Sequence, residues 1–332
     1  MDKGEQGSAF WLSKAPKRSM VGDVHNRWRI RSMISVVVPV FGCKDCIYQL
    51  VDRIVNALSP NRDIEIILVD DSSVDGSWEM VRAISKKYDF VLGFRLAKNS
   101  GQHVAILAGL KQSKGDQVIV MDCDLQDPPE MIPSLIAGLR ESPISIALRR
   151  GHHQTRFRSL QNRVFQIIYR FLTGDHYDNT ATSFSALNRN VVDEYVKFTE
   201  VGQHYLFVLR WLGFKQTYIE YERPLRSIGT SSYSFFDRIK HGSDAILFGS
   251  TRLLRFAAVV GALIAGFGFA LLAFVLIGSL GSRSPSGWTS TISVVLVFSG
   301  LMLLLQSLLG AYVTRIFQET KGRPLYVIAE RT

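Results

Sequence analysis

Short apolar, β-branched runs alternate with helically spaced ones along the first part of the chain. Residues 34–38, closed by Pro39, read as a strand buried on both faces of a sheet. Ile47, Leu50, Val51, Ile54, Val55 and Leu58 then recur at the spacing of one helix face. A second strand over 64–69 ends in Asp70 and Asp71, and Ser72, Ser73 and Asp75 supply capping chemistry for a helix running to Lys87. Residues 91–96 give a third strand, 102–111 a helix, and 118–121 a fourth strand that stops at Asp122. This βαβαβαβ order predicts an α/β fold with a parallel, doubly wound sheet and a site along its carboxyl edge.

Beyond that block the pattern changes. Segments 157–172 and 235–255 mix basic residues with apolar ones at helical spacing. Each reads either as a core-facing helix or as one lying on a bilayer, and 235–255 favours the bilayer because it leads straight into an apolar stretch. Stretches 256–280 and 288–313 are each long enough to cross a hydrocarbon core of ~30 Å as helices. The first carries no charge. The second contains Thr289, Ser290, Thr291, Ser293, Ser299, Gln306 and Ser307, a polar stripe that predicts helix association and a homo-oligomer. Only 281–287 separates the stretches, so they read as a transmembrane hairpin with both ends on one side.

Charge sets the orientation of that hairpin. The 332 residues include 39 Lys+Arg against 29 Asp+Glu, a formal charge of +10. Lys240, Arg252 and Arg255 precede the first stretch and Arg315, Lys321 and Arg323 follow the second, whereas the connecting loop holds only Arg283. The head and both termini are therefore expected on the cytoplasmic side of the cell's inner or plasma membrane. Residues 1–33 are polar and basic with no apolar signal core, and read as a flexible arm that touches anionic lipid rather than as a secretory leader. Nucleic acid is not expected among the partners. The resulting division is a basic arm (1–33), a catalytic head (34–234), a juxtamembrane helix (235–255), two spans (256–313) and a cytoplasmic tail (314–332).

Three cysteines in a cytoplasmic head argue against structural disulfides. Cys43 and Cys46 form a C-x-x-C after the first strand, but the aromatic and proline surroundings of a thioredoxin-like redox site are missing. No G-x-G-x-x-G follows the first strand and no G-x-x-x-x-G-K-[ST] occurs, which weakens dinucleotide oxidoreductase and P-loop readings.

Asp122, Cys123 and Asp124 place two carboxylates at alternate positions of an extended backbone, just past a strand's carboxyl end. One or two carboxylates completed by diphosphate oxygens is how Mg²⁺ or Mn²⁺ is commonly held, so this is a hard-cation site in outline. A solvated loop is the plainer alternative. Asp70 and Asp71 lie on the same edge, where they either accept hydrogen bonds from a base or ribose or cap a helix; Asp75 reads mainly as a cap.

SVVVPVF, LVDDSSVDGS, KNSGQHVAILAGLKQSKGDQVIVMDCDLQDPPE, YERPLRSIGTSSYS and the terminal ETKGRPLY, taken in order around a membrane hairpin, resemble the polyprenyl-phosphate glycosyltransferases of glycosyltransferase family two. That group contains dolichol-phosphate mannose synthases and undecaprenyl-phosphate sugar transferases. The resemblance implies a GT-A, Rossmann-like head and inverting transfer of one sugar from a UDP- or GDP-linked donor to a polyprenyl phosphate. It also implies roles for individual residues. Asp70 and Asp71, beside Pro39, would take the base; Asp122 would sit at the ribose and diphosphate; Asp124 would hold the metal with Asp122, and Gln126 would lie close by. Arg226, Gly229, Ser231, Tyr233 and Ser234 match the family's R-x-x-G-x-S-x-Y-S pattern and, with Arg149, Arg150 and Arg163, are candidates for the acceptor phosphate; for the last three, contact with lipid headgroups is the plainer reading.

Three positions depart from the family's pattern. Phe41-Gly42-Cys43 stands where an aromatic, Asn and Glu are common, with Asp45 as the candidate substitute acid; Ser183 stands where many members carry Asp, and Ser232 where Lys is common. These departures support a rival reading as a catalytically weak nucleotide-sugar or lipid-binding scaffold. A processive polysaccharide synthase is the other rival, but Phe207 takes the Gln position of its Q-x-x-R-W element before Arg210-Trp211.

Overall fold

The computed structural model describes residues 33–58, 63–150, 181–202, 204–222, part of 257–270, and 288–332. Arg163, Arg226, Ser231, Ser232, Tyr233 and Ser234, and the segments 157–172 and 235–255, lie outside the described residues.

The head is built on one eight-stranded sheet. In chain order its elements are β1 (Ile34–Val40), α1 (Lys44–Leu58), β2 (Ile64–Asp70), α2 (Ser77–Lys87), β3 (Val91–Leu96), α3 (Gln102–Gln112), β4 (Gln117–Val120), α4 (Ile132–Gly138), β5 (Ile144–Arg150), β6 (Ala181–Asn188), α5 (Arg189–Tyr195), α6 (Tyr205–Trp211) and β7 (Gln216–Glu222). A long helix α7 (Trp288–Thr320) and a last strand β8 (Ile328–Arg331) follow. The strand order is β7-β5-β6-β4-β1-β2-β3-β8.

The four strands read from the sequence are parallel and adjacent, with β1 between β2 and β4. The sheet as a whole is mixed, which corrects the all-parallel expectation. β6 runs antiparallel to β4 and β5, and β8 runs antiparallel to β3. β6 can do so because it reaches β4 through other elements rather than through a helical crossover, the connection that enforces parallel pairing.

Alternate residues of the central strands feed two cores. Val36, Val38, Ile66, Leu68 and Ile119 face α1, α2 and α4, whereas Val37, Ile67, Val69, Val118 and Val120 face α3, α5 and α6. Each of these side chains is fully buried and contributes about 1.5–3 kcal/mol of apolar burial. The sheet is thus doubly wound, as the continuous apolar runs predict. Gly109 brings α3 down onto β1 and β2: a Cβ there would run into Val37 and sit 3.2 Å from Val69 Cγ2.

Pro39 lies inside β1, in register with Val69, rather than closing the strand. Val37 faces β4, where its carbonyl accepts from Met121 N–H, and Pro39 faces the same way by the two-residue period. The β1–β4 ladder has ended by then, at Val37 and Val120, so the missing N–H removes no sheet bond.

The final residues are part of the sheet. β8 covers the β3 edge; the Trp78 indole donates to Glu330 Oε2 at 2.9 Å, Arg95 reaches Glu330 Oε1 at 3.3 Å, and Gly93 N–H donates to Thr332 Oγ1 at 2.8 Å. The segment expected to be a tail therefore contains an edge strand.

α7 spans 33 residues and includes the apolar stretch Phe298–Thr320, the one helix among the described residues long and apolar enough to cross a membrane. The second expected span is therefore a continuous helix that runs past residue 313. Of the first expected span, Val259–Gly268 is described as a short apolar helix. The two helices touch: Phe267 stacks on Phe298 with centroids 6.4 Å apart, and a Cβ on Gly261 would lie 3.6 Å from Leu305. Ser307 and Thr314 hydroxyls donate to the carbonyls of Leu303 and Gly310 on their own helix, which satisfies them without a partner helix.

Candidate active site

The carboxyl ends of β1, β2 and β4 gather the acidic residues of the sequence motifs. After Val120 the chain leaves regular structure and turns through Asp122, Cys123, Asp124 and Leu125. Cys123 is buried and the two carboxylates on either side of it are partly exposed, which is the alternation the spacing predicts. Leu125 has φ 59°, and Ser72, just after Asp71, also has φ 59°; these are the two non-glycine residues with left-handed backbone among those described. Such conformations are held against local strain and cluster at functional sites.

Asp122 is held by two donors. Gln102 Nε2 lies 2.6 Å and Ser183 Oγ 2.9 Å from its Oδ1. Gln102 stands in the first turn of α3, which Gly109 allows close to the sheet. Ser183 arrives by register: β4 pairs Val120 with Ser185, and two residues further that pairing sets Ser183 opposite Asp122. Burial, then the neighbouring charges of Asp127 and Asp124, push the Asp122 carboxyl up to about 7, while the Ser183 hydrogen bond and the Arg149 charge pull it down.

Asp127 is buried and its Oδ1 accepts from the Tyr221 hydroxyl at 2.8 Å. Arg149 and Tyr221 are register partners on β5 and β7, and Arg149 also lowers the raised pKa of Tyr221. Gln126 is buried, and its N–H donates to Asp124 Oδ1 at 3.1 Å. Glu130 anchors the end of the motif to α1 through two hydrogen bonds from Arg53, of 2.9 and 2.7 Å. One cluster thus contains the expected Asp122, Asp124, Gln126 and Arg149, and adds Gln102, Asp127, Ser183 and Tyr221.

The β2 end is engaged in shaping the site. Asp70 is fully buried; its Oδ1 accepts from Ser73 N–H at 3.2 Å and its Oδ2 pairs with Arg95 Nε at 3.3 Å. Asp71 accepts N–H groups of Ser100 and Gly101, each at 2.7 Å, fixing the loop that starts α3. Burial raises the pKa of both carboxyls, against these hydrogen bonds. Asp75 acts as the expected cap, accepting from Ser77 N–H at 3.1 Å and from Lys44 N–H at 3.2 Å.

The cysteines depart from expectation. Cys43 is bonded to Cys123, 80 residues away, with Cα atoms 6.3 Å apart, and Cys46 is outside the bond. The absence of disulfides expected from composition is corrected, and the C-x-x-C is, as its sequence surroundings imply, not the bonded pair. Cys43 ends the turn after β1 while Cys46 is already within α1, and it is the β4 turn that comes alongside Cys43.

Among the described residues no three His, Cys, Asp or Glu side chains converge into a ready-made metal cage. Asp122 and Asp124 nevertheless fit a hard cation: Asp122 Oδ1 is fixed by its two donors, and hard divalent ions are commonly completed by substrate phosphate oxygens.

An acidic carboxyl edge on a doubly wound sheet defines a nucleotide-type α/β enzyme head. Comparison with known proteins narrows that class. The model of glycosyl transferase family 2 matches residues 35–196. A Bacillus subtilis (strain 168) protein named uncharacterized glycosyltransferase YkcC is 33% identical over 301 residues, covering 89% of this chain and 92% of that protein. The undecaprenyl-phosphate 4-deoxy-4-formamido-L-arabinose transferase of Proteus mirabilis (strain HI4320) is 31% identical over 301 residues, with the same coverages of 89% and 92%. Among solved structures, mannosyl-3-phosphoglycerate synthase from Rubrobacter xylanophilus is 17% identical with a TM-score of 0.46, over 70% of this chain and 75% of that one. The chain belongs to glycosyl transferase family 2: it is a glycosyltransferase with a GT-A-like α/β fold.

Proposed function

We propose that this enzyme transfers a single sugar, with inversion, from a nucleotide-linked donor to a polyprenyl phosphate at a membrane surface. The observation that carries the reading is the Asp122–Asp124 turn at the sheet's carboxyl edge, in a chain whose relatives over nine-tenths of their length include undecaprenyl-phosphate 4-deoxy-4-formamido-L-arabinose transferases.

The roles follow from chemistry. A phosphate monoester, with a second pKa of about 6, is already largely anionic at neutral pH, so the acceptor can attack the anomeric carbon without a dedicated base. A bond forms from acceptor phosphate oxygen to that carbon as the bond to the nucleoside diphosphate breaks on the opposite side, which gives inversion. Asp122 and Asp124 would hold Mg²⁺ or Mn²⁺, which neutralises charge on the departing diphosphate. Gln102 and Ser183 keep Asp122 oriented for that task. Asp71 and Pro39 would border the slot for the base, and Arg149, whose charge favours the ionised form of Asp122, would meet a phosphate. Arg163, Arg226, Ser231, Tyr233 and Ser234 complete the acceptor side in this reading.

Membrane attachment is supported by α7 and by the way it meets the head: Arg315 Nη2 donates to Val201 carbonyl at 3.1 Å, and Val201 N–H donates to Glu319 Oε1 at 2.8 Å. The head thereby abuts the end of an apolar helix, where a lipid-borne phosphate would present itself.

The test is transfer from a panel of radiolabelled UDP- and GDP-sugars, and of nucleotide-linked 4-deoxy-4-formamido-L-arabinose, to undecaprenyl phosphate in membranes. Labelled lipid is expected with one donor in the presence of Mg²⁺ or Mn²⁺, and Asp124→Asn should reduce it at least a hundredfold. No labelled lipid from any donor would sink the reading.

A further inference from the structure

The Cys43–Cys123 bond lies at the top of the core, where the turn after β1 meets the turn that carries Asp122 and Asp124. Cys43 belongs to the turn after β1 and is held on three sides: its N–H donates to Ser77 Oγ at 3.1 Å, and its carbonyl accepts from Cys46 and Ile47 N–H groups at 2.9 and 3.3 Å. It is therefore fixed to the starts of both α1 and α2. Cys123 sits between Asp122 and Asp124, in a stretch with no regular structure from Met121 to Pro128. One end of the link is rigid and the other lies in the turn that carries the carboxylates.

β1 and β4 are paired only as far as Val37 and Val120. Beyond those residues the sulfur link is the covalent tie between the two turns, and the slot assigned above to the donor lies along this edge. Two unbonded sulfurs cannot approach as closely as bonded ones, so breaking the link moves the Cys123 turn away from Cys43. Both cysteines are buried, at 8% and 7% exposure, so a reagent reaches them only when the Cys123 turn opens. In a reducing compartment, disulfides are characteristically transient and serve in catalysis or redox sensing rather than as permanent staples.

We propose that Cys43 and Cys123 form a reversible thiol–disulfide site that sets the spacing between the β1 turn and the Asp122–Asp124 turn, with a hydroperoxide as oxidant and a dithiol as reductant. The consequence for the donor rests on the function proposed above. In the oxidising step one thiolate attacks the peroxide oxygen and becomes a sulfenic acid, releasing an alcohol or water. The second thiol displaces water from that sulfur to form the bond; two thiols lose two electrons in all and the peroxide gains them. A dithiol reverses the step by exchange and is itself oxidised. The oxidised form holds the carboxylate turn against β1 and narrows the slot; the reduced form lets the turn adjust to a metal-bound diphosphate.

The experiment uses the full chain in nanodiscs, treated with hydrogen peroxide or with dithiothreitol. Peptide mass mapping after thiol alkylation reads the link, and calorimetric titration with UDP and with GDP in MnCl₂ reads the slot. Peroxide should produce a 43–123 bridged peptide that dithiothreitol removes, and should weaken binding of the preferred nucleotide at least threefold. Cys43→Ala should bind equally in both treatments, and Cys46→Ser should respond as the unaltered chain does. Three alkylated thiols after peroxide, or a bridge that leaves both affinities unchanged, would overturn the proposal. Failure of the reduced chain to bind either nucleotide would instead remove the donor-site reading, and with it the stated consequence of the bridge, while the mapping would still decide the bridge itself.

Discussion

At the scale of single residues, Asp122 is the point on which the site turns. Its carboxyl is pushed up to about 7, because burial and the charges of Asp127 and Asp124 oppose ionisation more than Ser183 and Arg149 favour it. A folded-state pKa above the unfolded one means that the folded chain binds the extra proton. The stability penalty is therefore absent below about pH 4, grows between pH 4 and 7, and is complete above pH 7. Asp122→Asn should raise the melting temperature of metal-free protein at pH 8 and leave it nearly unchanged at pH 4; equal shifts at both would show that the charge is not the cause. A second expectation concerns the two donors. Removing a hydrogen bond to a charged group costs about 1.5–3 kcal/mol, so Ser183→Ala or Gln102→Ala should lower turnover roughly ten- to a hundredfold. Ser183→Thr keeps the hydroxyl and should recover most of it, which a purely steric role would not allow. Ser183 is thus a neutral donor to a carboxylate already crowded by two others.

At the scale of elements, the last strand is the one whose loss should be felt farthest from its place in the chain. Trp78 is 2% exposed and its indole N–H is satisfied by Glu330, 252 residues away. Glu330→Ala leaves that buried donor unmet and should destabilise the head by about 1–3 kcal/mol in chemical denaturation, with Glu330→Gln much milder because it keeps an acceptor. Equal effects from the two variants would place the contribution in Arg95 pairing instead. Such a contact shows where sequence reading stops. β1 to β4 and the helices between them were legible because each is announced locally, by β-branched runs, by 3.6-residue spacing and by turn residues at the ends. β8 is not: four residues of mixed character become a strand only because the β3 edge is there to receive them. The site divides in the same way. Asp122, Asp124 and Gln126 lie in one motif and could be read directly. Gln102 and Ser183 depend on α3 packing and on the β4–β6 register, and Cys123 found Cys43 rather than following the C-x-x-C spacing. Asp127 stood in the motif in plain view, and only its burial beside Tyr221 distinguishes it from a solvated acid.

At the scale of the whole molecule, the pairing of β8 with β3 constrains how the chain meets a membrane. Strands β1 to β7 and the last strand β8 belong to one sheet, so all of them lie on one side of any bilayer. The chain between β7 and β8 must then cross an even number of times or not at all. α7, at 33 residues, is about 50 Å long, more than the ~30 Å of a hydrocarbon core, and its exposed Val295, Met302, Leu303, Val313 and Ile316 have no covering among the described residues. A single crossing by α7 would strand β8 on the far side, so a crossing α7 requires a partner. The Val259–Gly268 helix is the candidate for that partner: Gly261 meets Leu305 and Phe267 meets Phe298, so one sequence rises as the other falls and the two helices run antiparallel. In sealed vesicles of known orientation, the prediction is that a cysteine introduced by Ser284→Cys reacts with an impermeant maleimide from the face opposite the head. One introduced by Lys321→Cys should react from the head's own face. Labelling of both from the same face would mean that α7 does not cross, and the head would then be held at the bilayer by surface contact rather than by a hairpin.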